Sequence, residues 1–147
     1  MPAAVTPAPG APEPAGAATG DAGVITKTSP RSVGETVARL LDLLASKGVK
    51  VFVVIDQRAE ALAVGLDLRE TTLVVFGNPA AGTGVMGAAP LAALDLPLKV
   101  LVWSGSNGVT QVSYTDPSAL AARYRLDAGL VAGLEVIHVL TDALVAG

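Results

Sequence analysis

Apolar residues in this chain follow two rhythms. Val33, Val37, Leu40, Leu41 and Leu44 recur at helical spacing, with Arg39, Asp42 and Lys47 on the opposite face. That stripe predicts an amphipathic helix. Ser32 and Glu35 stand just before it in the S-x-x-E spacing of a capping box, and Gly48 sits where a left-handed C-terminal cap belongs. The second rhythm is short and continuous. Val24 to Thr28 is β-branched and bounded by Ser29-Pro30, Val49 to Ile55 (VKVFVVI) reads as a central strand, and Leu73 to Phe76 reads as another buried one. Leu98 to Trp103 and Val109 to Tyr114 flank Asn107-Gly108, a hairpin signal because both residues accept positive φ cheaply. Asp56 ends its strand and precedes a short helix from Arg58 to Val64, closed by Gly65; Asp116-Pro117 opens another, and a last helix covers roughly Ala128 to Val145, with Leu130, Leu134, Ile137 and Leu144 on its apolar face.

The order is strand, helix, four strands with short helical inserts, then a terminal helix. Two main helices over one sheet predict a two-layer α+β sandwich, its sheet mixed and mostly antiparallel. Residues 22–147 form that single domain. Residues 1–21 are Pro, Ala and Gly with little else, lack side chains that repay ordering, and read as a disordered tail.

Composition narrows the function classes. The chain has no cysteine among its 147 residues, which excludes disulfides, thiolate metal sites and a cysteine nucleophile. Ten basic residues against thirteen acidic ones give a net charge of −3, and the basic residues are scattered from Lys27 to Arg125. No stripe of them tracks phosphates, so nucleic acid is not an expected partner. Mean hydropathy is positive, yet no 18-residue window is free of both charge and turn residues, so no membrane span is expected. The N-terminus has no basic start followed by an apolar core, and the cytoplasm is the expected compartment.

Candidate chemistry concentrates between Leu73 and Lys99. Gly77-Asn78-Pro79 stops one apolar run, a small-residue loop follows, and Asp95-Leu96-Pro97 opens the next. The first corner reads as a turn, and Asn78 is also placed to offer its amide to a ligand. Gly82, Thr83 and Gly84 would lend free N–H groups to an anion, although the lysine of a phosphate-binding loop is missing. Asp56 and Asp116 are positioned to cap helices. Asp95 has no evident helix to cap and is the preferred polar site residue, paired with Lys99 or with a second subunit. Lys99 and Trp103 share a strand face, with Tyr114 expected across the hairpin, as in a pocket or dimer interface. His138, the only histidine, reads as a partly buried helical residue with one hydrogen bond.

Residues Gly23 to Leu144 resemble the bacterial family known as domain of unknown function number 302. The pieces are the helix ending at Lys47-Gly48, VFVVID through Asp56, and Gly65-Leu66. The signature is Phe76-Gly77-Asn78-Pro79, Gly82, Met86, then Asp95 to Lys99. Trp103, Gly108, Tyr114 and Asp116-Pro117 close it. The resemblance implies a TATA-binding-protein-like α+β fold and a homodimer, and it implies no activity. Relatives often carry His after the Ile-Asp pair; here that position is Gln57.

The functional expectation is a dimeric module binding a small anionic or metabolite ligand, or a protein, without cofactor or metal. The binding candidates are Asn78, Gly82, Thr83, Asp95, Lys99, Trp103 and Tyr114. The alternative is an enzyme using Asp95 and Lys99 as a proton-transfer pair. Both readings require the Gly77-Asn78-Pro79 and Asp95-Leu96-Pro97 corners to be neighbours framing one hollow.

Overall fold

The structure is a computed structural model and describes residues 18–19 and 23–147. The expectation of a disordered tail falls outside the described residues except at Ala18–Thr19. Those two residues form β1, which pairs with β2 (Val24–Ser29). The chain continues through α1 (Val33–Ser46), β3 (Lys50–Asp56), α2 (Gln57–Ala63), β4 (Thr71–Gly77) and α3 (Pro79–Ala88). A 3₁₀ segment, Pro90–Leu94, leads to β5 (Leu98–Ser104) and β6 (Thr110–Thr115), then α4 (Pro117–Tyr124), α5 (Ala128–Ala132) and α6 (Val136–Val145).

The strands form one sheet in the order β1-β2-β6-β5-β4-β3, and every described pairing is antiparallel. This is the limiting case of the mostly antiparallel sheet expected from the pattern. β2 and β3 are joined by α1, so they end on opposite sides of the sheet and α1 spans its face. Packed together on that face, α1 and α6 insert Leu40, Leu44, Ile137, Leu140 and Leu144 against Val74, Phe76, Val100, Val102 and Val112. All ten are at most 1% exposed, and burying each such side chain is worth about 1.5–3 kcal/mol. This is the expected α+β sandwich with two main helices.

Local signals act as the sequence predicts. Ser32 and Glu35 form the capping box, Gly48 and Gly65 take positive φ, and Asp56 and Asp116 cap α2 and α4 through Ala59 and Ser118 N–H.

Three expectations are corrected. Val49 to Ile55 was read as a central strand, but β3 is the edge of the sheet, with Phe52, Val53 and Val54 exposed. Pattern reports apolarity; position depends on long-range strand order. The small-residue loop after Asn78 is instead α3, ten residues long. The terminal helix breaks at residues 133–135 into α5 and α6. There Gly133 approaches α3 so closely that a Cβ on it would lie 3.2 Å from the Ala81 Cβ. Among the described residues Ala128–Val145 is the one stretch that is long and apolar enough to cross a membrane by length and composition alone. It carries Glu135, Asp142 and two glycines, in keeping with the sequence reading that no window lacks charge and turn residues. In this fold its second half is the core helix that carries Ile137, Leu140 and Leu144.

Candidate functional site

The two corners meet. A Cβ placed on Gly77 would be 3.6 Å from the Pro97 Cβ and 3.7 Å from the Phe52 ring. Between them opens a hollow of about 420 Å³, within the usual range for a small-molecule site. β3 and the residue before it contribute Val49, Lys50 and Phe52; α3 contributes Ala81, Gly82, Thr83 and Met86. Leu96, Pro97 and Leu98 form a further wall, and Leu134 with Val136 lines it from the α5–α6 break. Most of these side chains are apolar, and Lys50 is the one charged residue among them. Its ammonium lies 5.1 Å from the centroid of the Phe52 ring.

Each candidate residue can now be placed. Asn78, Gly82 and Thr83 line the hollow. Asn78 is the N-cap of α3, its side-chain oxygen accepting from Ala80 N–H at 3.0 Å. Because Pro79 starts the helix, its missing N–H falls where none is needed. The anion-binding expectation for the Gly82–Gly84 backbone is corrected by the same helix. These residues lie inside α3, and Gly82 N–H already donates to the Asn78 carbonyl at 3.0 Å.

Asp95 and Lys99 lie outside the hollow, beside a smaller cleft of about 190 Å³ that also involves Leu94, Thr115 and Leu120. The Asp95 carboxylate accepts a hydrogen bond from the Tyr124 hydroxyl and pairs with Arg123 at 3.0 Å. The Tyr124 hydrogen bond, reinforced by Arg123, holds the Asp95 carboxyl below its usual range, and the same bond raises the Tyr124 phenol. Lys99 turns instead to main-chain oxygens, those of Asp95 at 3.1 Å and Pro97 at 2.9 Å. Burial lowers its pKa, with the Asp95 charge opposing. A carboxylate held ionised by two other donors is a poor proton acceptor for Lys99. This geometry gives no support to the proton-transfer alternative.

Trp103 and Tyr114 separate. Alternation along β5 puts Lys99, Leu101 and Trp103 on the face away from the helices. Trp103 donates its indole N–H to the Ser113 hydroxyl at 2.9 Å, while Tyr114, one residue on, points to the helix face. There its hydroxyl meets His138 Nδ1 at 2.7 Å. The expected shared surface of Trp103 and Tyr114 is therefore corrected. Among the described residues no group of three or more His, Asp or Glu side chains converges as a metal site would require.

Sequence reasoning missed Lys50, Phe52, Leu134 and Val136 as lining residues. A usable signal existed for Phe52. The chain has only two phenylalanines, and both Phe52 and Phe76 line the hollow.

Fold and site define an α+β sandwich with a ligand-sized apolar hollow at one sheet edge. The chain belongs to the family described as "Domain of unknown function DUF302", whose profile matches residues 25–145. It is similar to a crystal structure of an uncharacterized conserved DUF302 protein from Bacillus stearothermophilus. That likeness has a TM-score of 0.70 at 22% identity, over 84% of this chain and 95% of the other. At that identity the likeness concerns the fold. The chain is also 39% identical over 106 residues, 72% of its length, to proteins named "Fluoride-specific ion channel FluC 1" in Brucella suis and "Fluoride-specific ion channel FluC 2" in Brucella melitensis. The matched stretch covers 42% and 39% of those proteins, so the chain spans about two-fifths of the length of these curated relatives.

Proposed function

We propose that this chain is a homodimeric binding module, without catalysis of its own, that takes a small metabolite into the hollow between β3 and α3. The ligand has an apolar body and one anionic group. The observation that carries this reading is the hollow itself: about 420 Å³, walled by Phe52, Phe76, Met86, Leu96 and Leu134, with Lys50 as its single charge. Such a lining recognises shape and apolar area, and one cation orients a single acidic group. The Brucella likeness supports a module role. The match is a minor part of proteins named as ion channels, and in this chain the matched kind of domain is a sandwich.

A thermal-shift screen over small carboxylates and phosphates with apolar bodies tests the reading. A true ligand at a hundred times its Kd adds about 2.7 kcal/mol of stability, several degrees in melting temperature. Gly82→Leu is the control. A Cβ there meets nothing nearer than the Met86 Cε at 3.8 Å, so the fold accepts the substitution while the larger side chain fills the hollow. The ligand-induced shift is expected to vanish in that variant. Retention of the full shift would place the ligand elsewhere.

A further inference from the structure

Exposed apolar side chains are not spread evenly over this molecule. Phe52, Val53, Val54, Leu62, Val64 and Leu66, between 41 and 73% exposed, follow one another along β3, α2 and the turn after it. β3 is also a sheet edge, with one row of backbone N–H and C=O groups facing outward. Native edge strands are usually guarded by charge, proline or a bulge, because an unguarded edge pairs with another strand. In β3 the charges, Lys50 and Asp56, stand only at the two ends, and from Val51 to Ile55 there is neither charge nor proline. The one irregularity is a bulge between Val51 and Val53, which leaves Val53 to Asp56 in regular register with β4.

We infer that this edge pairs with β3 of a second copy, antiparallel across a two-fold axis, so that the two sheets become one. The inference deepens the homodimer reading above by naming its surface. Under a two-fold axis the same edge serves both subunits, and a backbone ladder needs no separate complement. The six apolar side chains present on the order of 500 Å² per copy, so two copies that covered all of it would hide roughly 1,000 Å², the size at which specific interfaces begin. Charge around the patch is mixed: three basic and four acidic residues lie between positions 50 and 70, so two copies meet without strong repulsion. That balance offers no basic cluster for an anionic lipid surface. The chain's own N-terminal segment is a poor occupant. Ala18–Thr19 lies along β2 at the far edge, and residues 1–17 are mostly Pro, Ala and Gly, with prolines that cannot donate to a ladder.

Pairing gives β3 a hydrogen-bonded neighbour on each side, which its outward backbone row lacks in the single chain. Phe52 then serves both the hollow and the interface, so whatever factor the second copy exerts on ligand binding the ligand exerts on dimerisation.

Sedimentation equilibrium and cross-linking test this. The wild-type chain should sediment as a dimer, and Val53→Lys should weaken the dimer at least a hundredfold while keeping its circular dichroism spectrum. The chain has no cysteine, so Val54→Cys offers a unique thiol. A short bismaleimide should join two Val54→Cys chains and leave Leu101→Cys, on the open sheet face, unjoined. If Val53→Lys fails to fold, the Val54→Cys cross-link alone decides. A dimer that cross-links through Leu101→Cys overturns the β3 surface and leaves the dimer standing. A wild-type chain monomeric at several hundred micromolar overturns both, while binding in the hollow is still judged separately by the Gly82→Leu comparison.

Discussion

The two long edges of the sheet solve opposite problems. At the β2 side, where the two-residue β1 is the outermost strand, Ile25, Thr26 and Lys27 are all at most 9% exposed, covered on the helix face by α6. The buried Lys27 ammonium is held by the Thr141 hydroxyl and the Asp142 carboxylate, each at 2.7 Å, and lies 5.2 Å from the centroid of the Tyr114 ring. At the β3 edge Phe52, Val53 and Val54 are each more than 40% exposed. One edge buries a charge and the other exposes hydrocarbon. Burial of a charge is tolerated where partners are supplied, and exposure of hydrocarbon is tolerated where a further partner arrives. What covers an edge, rather than what composes it, decides which solution is stable.

Deleting packed side chains should bring out this asymmetry most strongly. Leu140→Ala, in the helix that covers the β2 side, removes a side chain only 1% exposed and should cost about 3 kcal/mol, read as a lower urea midpoint with an unchanged slope. A cost below about 1 kcal/mol would mean that α6 packs loosely and that the β2 edge is not the firmly closed one.

Two glycines give the next contrast. Gly23, entering β2, has φ +73°, and a Cβ there would fall 2.4 Å from the Ala119 Cβ. Gly65, beyond α2, has φ +78° with open space around it. Both substitutions by alanine carry the left-handed penalty of about 1–2 kcal/mol. Only Gly23→Ala adds an overlap of about 1–3 kcal/mol. Chemical denaturation should therefore rank Gly23→Ala clearly below Gly65→Ala; equal losses would show that Ala119 moves aside freely.

These contrasts also explain what could be read in advance. The capping box, the Gly48 and Gly65 caps, Asp56 and Asp116 as helix starts, and the strand boundaries all depend on neighbours in sequence, and they were legible. So was the meeting of the Gly77-Asn78-Pro79 and Asp95-Leu96-Pro97 corners, because both bound strands that pair, Phe76 with Leu98. The place of β3 was not legible, since strand order is set by long-range pairing. Tyr114 was misplaced for a related reason. The ladder sets Trp103 against Gln111 and Leu101 against Ser113, and a one-residue difference flips a side chain to the other face. Three glycines disguised α3, which is held by the Asn78 cap and by packing against α5. The partners of Asp95 come from α4, 28 and 29 residues away, beyond any local pattern.

That last cluster provides the smallest expected effect, and it lies on neither edge. Asp95 has a folded pKa below its usual value, first because of the Tyr124 hydroxyl and then through Arg123. A carboxyl depressed on folding adds stability above its unfolded pKa of about 3.9 and loses it as pH falls through the lower folded value. The pair with Arg123 is largely solvated, with side chains 62% and 32% exposed, so screening discounts its contribution. Tyr124→Phe removes the main cause and should cost little stability at neutral pH. It should also flatten the fall in melting temperature between pH 5 and pH 2. Glu35, whose carboxyl is likewise lowered by the capping box, supplies a remaining acid slope that this substitution leaves in place. An acid limb that stays as steep as wild type would show that the hydroxyl does not hold Asp95 ionised. The carboxylate would then be free for a role beside Lys99, and the division between a structural polar cluster and a separate apolar hollow would fail.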